Sequence, residues 1–212
     1  MKDYSNYHNV DSNEKIKHDG LLLLEKSLNG FESREVLINE EYSSRLLVYQ
    51  KWDAKSDSKK VIGKREDIEM GNVYKIDQHN WLATTFPEDN NIYKKAEITL
   101  CNSTFPISTG ETEVFLGHDK YGRPIYDIVD GTTVHIPCVA ETKSSINNRN
   151  QQVNIPEGSI QITMAYLESE DIQINKEFSV FNSSFKISFI DYSSVINQKG
   201  VMVITAERVV KS

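Results

Sequence analysis

Apolar residues come in short runs, the longest at 21–24, 46–49 and 201–204, with turn-forming or charged residues between them along almost the whole chain. Only one stretch has helical spacing. Leu21, Leu24 and Leu28 fall at i, i+3 and i+7, which puts them on one face of a helix. Ser12 or Asn13 is its candidate N-cap, Glu14 lies in its first turn and Asn29-Gly30 ends it. Gly20 weakens this pattern by about 1 kcal/mol against Ala, so the helix starts either near residue 12 or after Gly20. Its apolar stripe packs on its own domain or docks on a neighbouring subunit.

After Gly30 the period changes. Runs at 34–38, 45–52, 61–64, 73–77, 81–86 and 96–101 are rich in β-branched and aromatic residues. Turn chemistry separates them at 39–41, 70–72, 78–80 and 87–91, and the polar stretch 53–60 (DAKSDSKK) predicts a solvated loop. The second half continues with strand-like runs at 113–116, 125–129, 132–139, 160–167, 172–174, 178–181, 185–191 and 201–208. A turn is expected at 118–124, another at Asp130-Gly131, and a long Asn- and Gln-rich loop over 141–157. Phe185, Ile187 and Phe189 alternate with polar residues, so one face of that strand is buried and the other wet. The pattern predicts a mainly β protein of small barrel or sandwich modules with an N-terminal helix and long polar loops. Its expected divisions are a tail and helix at 1–30, a first β module (a small barrel) at 31–105 and a second at 106–212.

Composition narrows the function classes. The 212 residues carry 24 Lys and Arg against 31 Asp and Glu, a net charge of −7, and neither half is basic. Such a chain is a poor general nucleic-acid binder, because phosphate affinity needs concentrated positive charge. No run approaches the roughly 20 apolar residues of a membrane-spanning helix, and the first ten residues hold no signal-peptide core. Cys101 and Cys138 are the only cysteines, too few for a disulfide scaffold, which makes a reduced cytoplasmic setting the default and leaves a single bridge open.

Catalytic chemistry finds little footing. The histidines at 8, 18, 79, 118 and 135 form no metal-binding pair, and His135-x-x-Cys138 has no second half. There is no GxSxG, no GxxxxGK[ST] and no GxGxxG, and both cysteines sit in apolar strands that disfavour a thiolate. The expectation is a protein with no catalytic residues, no cofactor and no metal. Tyr74, Trp81, Phe86 and Tyr93 form an aromatic cluster in or beside adjacent strands, suited either to stacking bases or sugars or to core packing. Asp67, Glu69, Asp77, Glu88 and Asp89 surround it where a nucleic-acid groove would need Arg or Lys, so core packing is the expectation for Trp81.

Residues 69–102 (EMGNVYKIDQHNWLATTFPEDNNIYKKAEITLCN) resemble structural proteins of roughly 200 residues from the head–tail region of tailed bacteriophages (siphophages) of Gram-positive hosts. The matching positions are Gly71, Val73, Tyr74, Trp81, Leu82, Asn90, Tyr93, Lys95, Leu100, Cys101 and Asn102, and Ile136-Pro137-Cys138 is similar to the family's second cysteine segment. In physical terms Gly71 permits a turn, Val73, Trp81 and Leu82 are strand residues, Cys101 is a small buried hydrophobe and Asn102 a strand-end residue bonding its own backbone. The chain departs from the pattern at Gln78-His79-Asn80 and over 111–131.

What the resemblance implies is a virion protein of the phage neck, made in the host cytoplasm. It would be a head-closure (stopper) or head–tail connector subunit, forming a homo-oligomeric ring between portal or adaptor proteins and tail terminator or tube proteins. Packaged DNA would pass through or be blocked by the ring, with no membrane involved. Loops that order against neighbours would assemble it, with Lys55, Lys59, Lys60, Tyr121, Arg123, Asn147 and Arg149 as candidate contacts. The alternatives are a tail-completion or terminator protein, and a soluble β-barrel binding module for oligosaccharide or single-stranded nucleic acid.

Overall fold

A helix, two large sheets and a separate two-stranded pair account for the regular structure of the described residues. The computed structural model describes residues 11–50, 57–108, 110, 112–118, 121–129, 131–142 and 158–209. Helix α1 (Ser12–Leu28) starts at residue 12 and runs straight through Gly20. Asp11 is its N-cap, accepting from the Asn13 amide at 3.4 Å, one residue ahead of the expected cap. Gly20 has a packing reason to be there, since a Cβ would stand 2.5 Å from Ile92 Cδ1. Leu24 and Leu28 are buried, while Ile16, Leu22 and Leu23 are exposed.

The first sheet comprises β1 (Ser33–Ile38), β2 (Tyr42–Tyr49), β3 (Ser58–Gly63), β4 (Val73–Ile76), β5 (His79–Ala83), β6 (Glu88–Asp89) and β7 (Lys94–Leu100). Its order is β3-β2-β1-β4-β5-β7-β6, and an additional pairing of β3 with β7 brings the two sides together. Ser58 to Gly63 align antiparallel with Thr99 to Lys94, so six strands form a closed barrel. Inside lie Val36, Ile38, Leu46, Val61, Tyr74, Ile76, Trp81 and Ile98 from the strands, with Ile68 from the β3–β4 connection. The β4–β5 turn is Asp77-Gln78, both at positive φ (49° and 70°), rather than the expected 78–80. A two-residue turn of this hand matches the twist of the flanking strands, which leaves His79 and Asn80 inside β5.

The second sheet contains β8 (Ser103–Ser108), β11 (Thr133–Thr142), β12 (Ser159–Ala165), β13 (Glu177–Val180), β14 (Ser183–Asp191) and β16 (Lys199–Arg208), with β15 (Val195–Ile196) paired to β16. Its order is β13-β14-β16-β12-β11-β8, and no ladder joins the end strands. The Phe105 and Phe178 rings, 4.8 Å apart, pack across that seam instead. Between β8 and β11 the chain makes a separate antiparallel pair, β9 (Thr112–His118) and β10 (Pro124–Val129). The chain passes to the second sheet between Leu100 and Ser103, so residues 103–105 lie there and not in the first module. Residues 172–174 form a turn, with the Ile172 amide on the Ser169 carbonyl at 3.1 Å; Ile172 is buried as a loop anchor. No described helix is long and apolar enough to cross a membrane.

Candidate functional site

Apart from Lys95, which pairs with Glu88 at 2.7 Å, the residues of the 69–102 motif divide by position into three groups. Tyr74, Trp81 and Leu100 belong to the first barrel's interior. Burial raises the Tyr74 phenol above its ordinary value, and its hydroxyl donates to the Asp67 carbonyl at 3.1 Å. Asp67 is itself buried and accepts from the Ser44 hydroxyl at 2.6 Å. Trp81 is only 5 % exposed, and the Lys59 ammonium lies 4.2 Å from its ring centroid, so it offers no free face for stacking a base or sugar. Asn90 and Tyr93 shape the β6–β7 turn, where Asn90 Oδ1 accepts from the Ile92 and Tyr93 amides at 3.1 and 2.9 Å.

The third group, Gly71, Val73, Leu82, Cys101 and Asn102, lies where the two sheets meet. Leu82 and Met70 from the first pack with Val139 and Val201 from the second, and Val73, Cys101 and Ala165 lean against them. Gly71 has φ +89°, and a Cβ there would stand 2.1 Å from the Gly200 carbonyl oxygen. Only a residue without a side chain lets the backbones approach so closely. Asn102 does not bond its own backbone as expected. Its amide donates to the Ala140 carbonyl at 2.9 Å and its Oδ1 accepts from the Ala140 amide at 2.8 Å, extending the β8–β11 ladder by one rung made of a side chain. Lys199 and Glu69 add an ion pair at 2.7 Å across the same joint.

Both cysteines are free thiols, so the open alternative of a bridge is not realised. Burial pushes Cys101 and Cys138 up to about 12. They are protonated, weak nucleophiles near neutral pH. Among the described residues no three His, Cys, Asp or Glu side chains form a group that could hold a metal ion. The motif residues thus join and fill two barrels, and they bring no acid, base and nucleophile together.

Of the assembly candidates, Tyr121 and Arg123 occupy the exposed turn between β9 and β10. Lys59 and Lys60 are not in a loop: both are in β3, paired with Ile98 and Glu97, because the first barrel's closure draws the end of the polar stretch into a ladder. Lys55, Asn147 and Arg149 lie outside the described residues. The exposed apolar surface is elsewhere. Phe31, in the turn after α1, is 95 % exposed, and the β9–β10 pair exposes Phe115, Leu116 and Tyr126. Sequence pattern gave no sign of this last group, since 113–116 reads as an ordinary strand-like run. The barrel-joint partners Gly200, Val139 and Val201 were hidden too, because each is remote in sequence from the motif it touches.

Comparison with known proteins follows the same two-part division. Residues 6–100 match the YomX N-terminal domain and residues 103–207 the YomX C-terminal domain, with the joint residues Cys101 and Asn102 between them. The chain is 35 % identical over 210 residues to the SPbeta prophage-derived uncharacterized protein YomX of Bacillus subtilis (strain 168), covering 98 % of this chain and 97 % of that one. No solved structure matches it.

Proposed function

The chain belongs to the YomX family through both of its domains, and from that premise we propose that it is a phage structural protein, a subunit of the virion neck. In this reading it is a head-closure or head–tail connector subunit that forms a ring between portal or adaptor proteins and the tail, retaining packaged DNA. The prophage origin of its full-length relative supports a phage role. The observation that carries the assembly reading is the set of large apolar side chains left uncovered outside both cores, at Ile16, Leu22 and Leu23 on α1, at Phe31 after it, and at Phe115, Leu116 and Tyr126. Contiguous exposed apolar surface marks protein–protein contact sites, and heterologous contacts between identical subunits close rings. The net charge of −7 suits a conduit past which DNA slides without being held.

The test is quantitative peptide mass spectrometry on purified, DNA-filled particles, calibrated against the major capsid subunit. One ring's worth of copies per particle is the expected result. Absence from particles, with the protein abundant in the lysate, would overturn the reading.

A further inference from the structure

The second barrel has a cavity at one end, where the chain leaves β12 and β14. Its volume is about 470 Å³, and Tyr166, Leu167, Glu168, Ile172, Tyr192 and Val195 line it. Ile172 belongs to the second core and Tyr166 packs against that core, so the cavity lies over the mouth of the barrel. Barrel mouths and volumes of this size take small ligands. Backbone hydrogen bonds hold the walls in place. The Tyr166 amide donates to the Gly200 carbonyl at 3.0 Å, the Val195 amide to the Tyr192 carbonyl at 3.0 Å and the Ile172 amide to the Ser169 carbonyl at 3.1 Å. A ligand therefore meets walls that are already ordered, which lowers the entropy cost of binding.

The charge of this cavity has one sign. Its two segments, 166–173 and 192–195, hold Glu168, Glu170 and Asp171 and no Lys, Arg or His. Asp171 is engaged elsewhere, accepting from the Ser108 amide at 2.6 Å, and Glu168 is the carboxylate on the lining. Beside it stand the Tyr166 and Tyr192 rings, nearly perpendicular at 78° with centroids 6.1 Å apart, and Tyr192 is 47 % exposed. The Tyr166 hydroxyl donates to Glu168 at 3.1 Å, which fixes the carboxylate next to the rings. Partial burial, that bond and the Glu168 charge all raise the Tyr166 phenol above its ordinary value, so it stays a neutral donor. Electron-rich ring faces and a carboxylate attract cations, while Leu167, Ile172 and Val195 offer apolar wall to a hydrocarbon stem. An anion would be repelled by Glu168, and a neutral ligand would strip water from that carboxylate without replacing it.

We propose that the mouth of the second barrel binds an organic ammonium ion. The charged head sits beside Glu168 and the Tyr166 and Tyr192 rings, and the hydrocarbon stem lies along Leu167, Ile172 and Val195. This site is independent of the neck reading, since it rests on one copy of the chain alone.

Titration of the full chain with n-butylammonium, 1-butanol and butyrate at constant ionic strength tests it, followed by NMR of the tyrosine rings. n-Butylammonium should shift the Tyr166 and Tyr192 rings saturably, with a dissociation constant on the order of 10 mM for so small a probe. The other two should bind at least fivefold more weakly. The methylene protons of n-butylammonium should move upfield, as they do over a ring face. Glu168→Gln keeps an acceptor for the Tyr166 hydroxyl and Tyr192→Leu keeps an apolar wall. Both side chains are exposed, so each variant should melt with the parent and bind n-butylammonium at least fivefold more weakly. Equal binding of 1-butanol would reduce the site to an apolar cavity and overturn the proposal. So would tighter binding of butyrate, no saturable shift of these two rings, or variants that bind as tightly as the parent.

Discussion

The two barrels solve the same problem of strand edges differently. In the first, β3 pairs with β7 over six residues and the sheet closes, so its barrel strands have partners on both sides. In the second, β8 and β13 meet without a ladder, and the seam is held by Phe105 on Phe178 and by Asp171 on the Ser108 amide. Pro106 sits in β8, where it leaves one fewer donor on that unpaired edge. The second barrel also gives rise to the separate β9–β10 pair, while the described residues of the first give rise to nothing comparable. Closure thus leaves the first barrel without a free strand edge, whereas in the second β8 and β13 keep theirs.

The strongest challenge to this contrast is Trp81→Ala, which opens a cavity inside the closed barrel. It should cost about 3–5 kcal/mol and unfold the first barrel while the second keeps its strands. Site-resolved hydrogen exchange would show this, and a variant melting within a degree or two of the parent would refute the core role of Trp81. Next is Gly71→Ala at the joint, where a methyl group meets the Gly200 carbonyl and φ is +89°. The cost should be on the order of 3 kcal/mol, and calorimetry should resolve one unfolding transition into two as the barrels uncouple.

Asn102→Ala removes both side-chain bonds to Ala140 and leaves that backbone unpaired at the joint, a loss of about 1–3 kcal/mol. If Asn102→Asp is as stable as the parent, the donor half of this rung contributes nothing. A smaller change of opposite sign is expected at the β13–β14 turn, where Phe181 holds φ +51° with an exposed side chain. Left-handed backbone is costly for a bulky residue and tolerated by Asn, so Phe181→Asn should raise stability by about 1 kcal/mol in denaturant titration.

The last effect is a pH dependence that shows only in alkaline solution. Cys101 and Cys138 are raised to about 12 in the fold, so the unfolded chain loses these protons first as pH climbs. Their contribution is complete below the ordinary thiol range and is lost between about pH 9 and 12. Melting temperature should fall across that window, and Cys138→Ala should flatten the slope.

Much of this architecture was legible locally. Strand runs, the helix stripe and the polar turns follow from periods of 2 and 3.6, which need only neighbours in sequence. The 172–174 run shows the limit of that method: Ile172 and Ile174 alternate like a strand, yet Asn175 turns at φ +72° and its amide goes to Ile187. Lys59 and Lys60 show it again, because polar residues in a closed barrel still pair through their backbones. For Gly71 the sequence indicated a turn, and the fold added a second reason for glycine.

The sequence by itself determined a mainly β chain with an N-terminal helix, because alternation and turn chemistry are written residue by residue. Only the tertiary structure decided which barrel closes, which glycines touch and which aromatics stay outside. Those outcomes depend on pairs such as Glu69 with Lys199, 130 residues apart, and no local pattern specifies a partner at that distance.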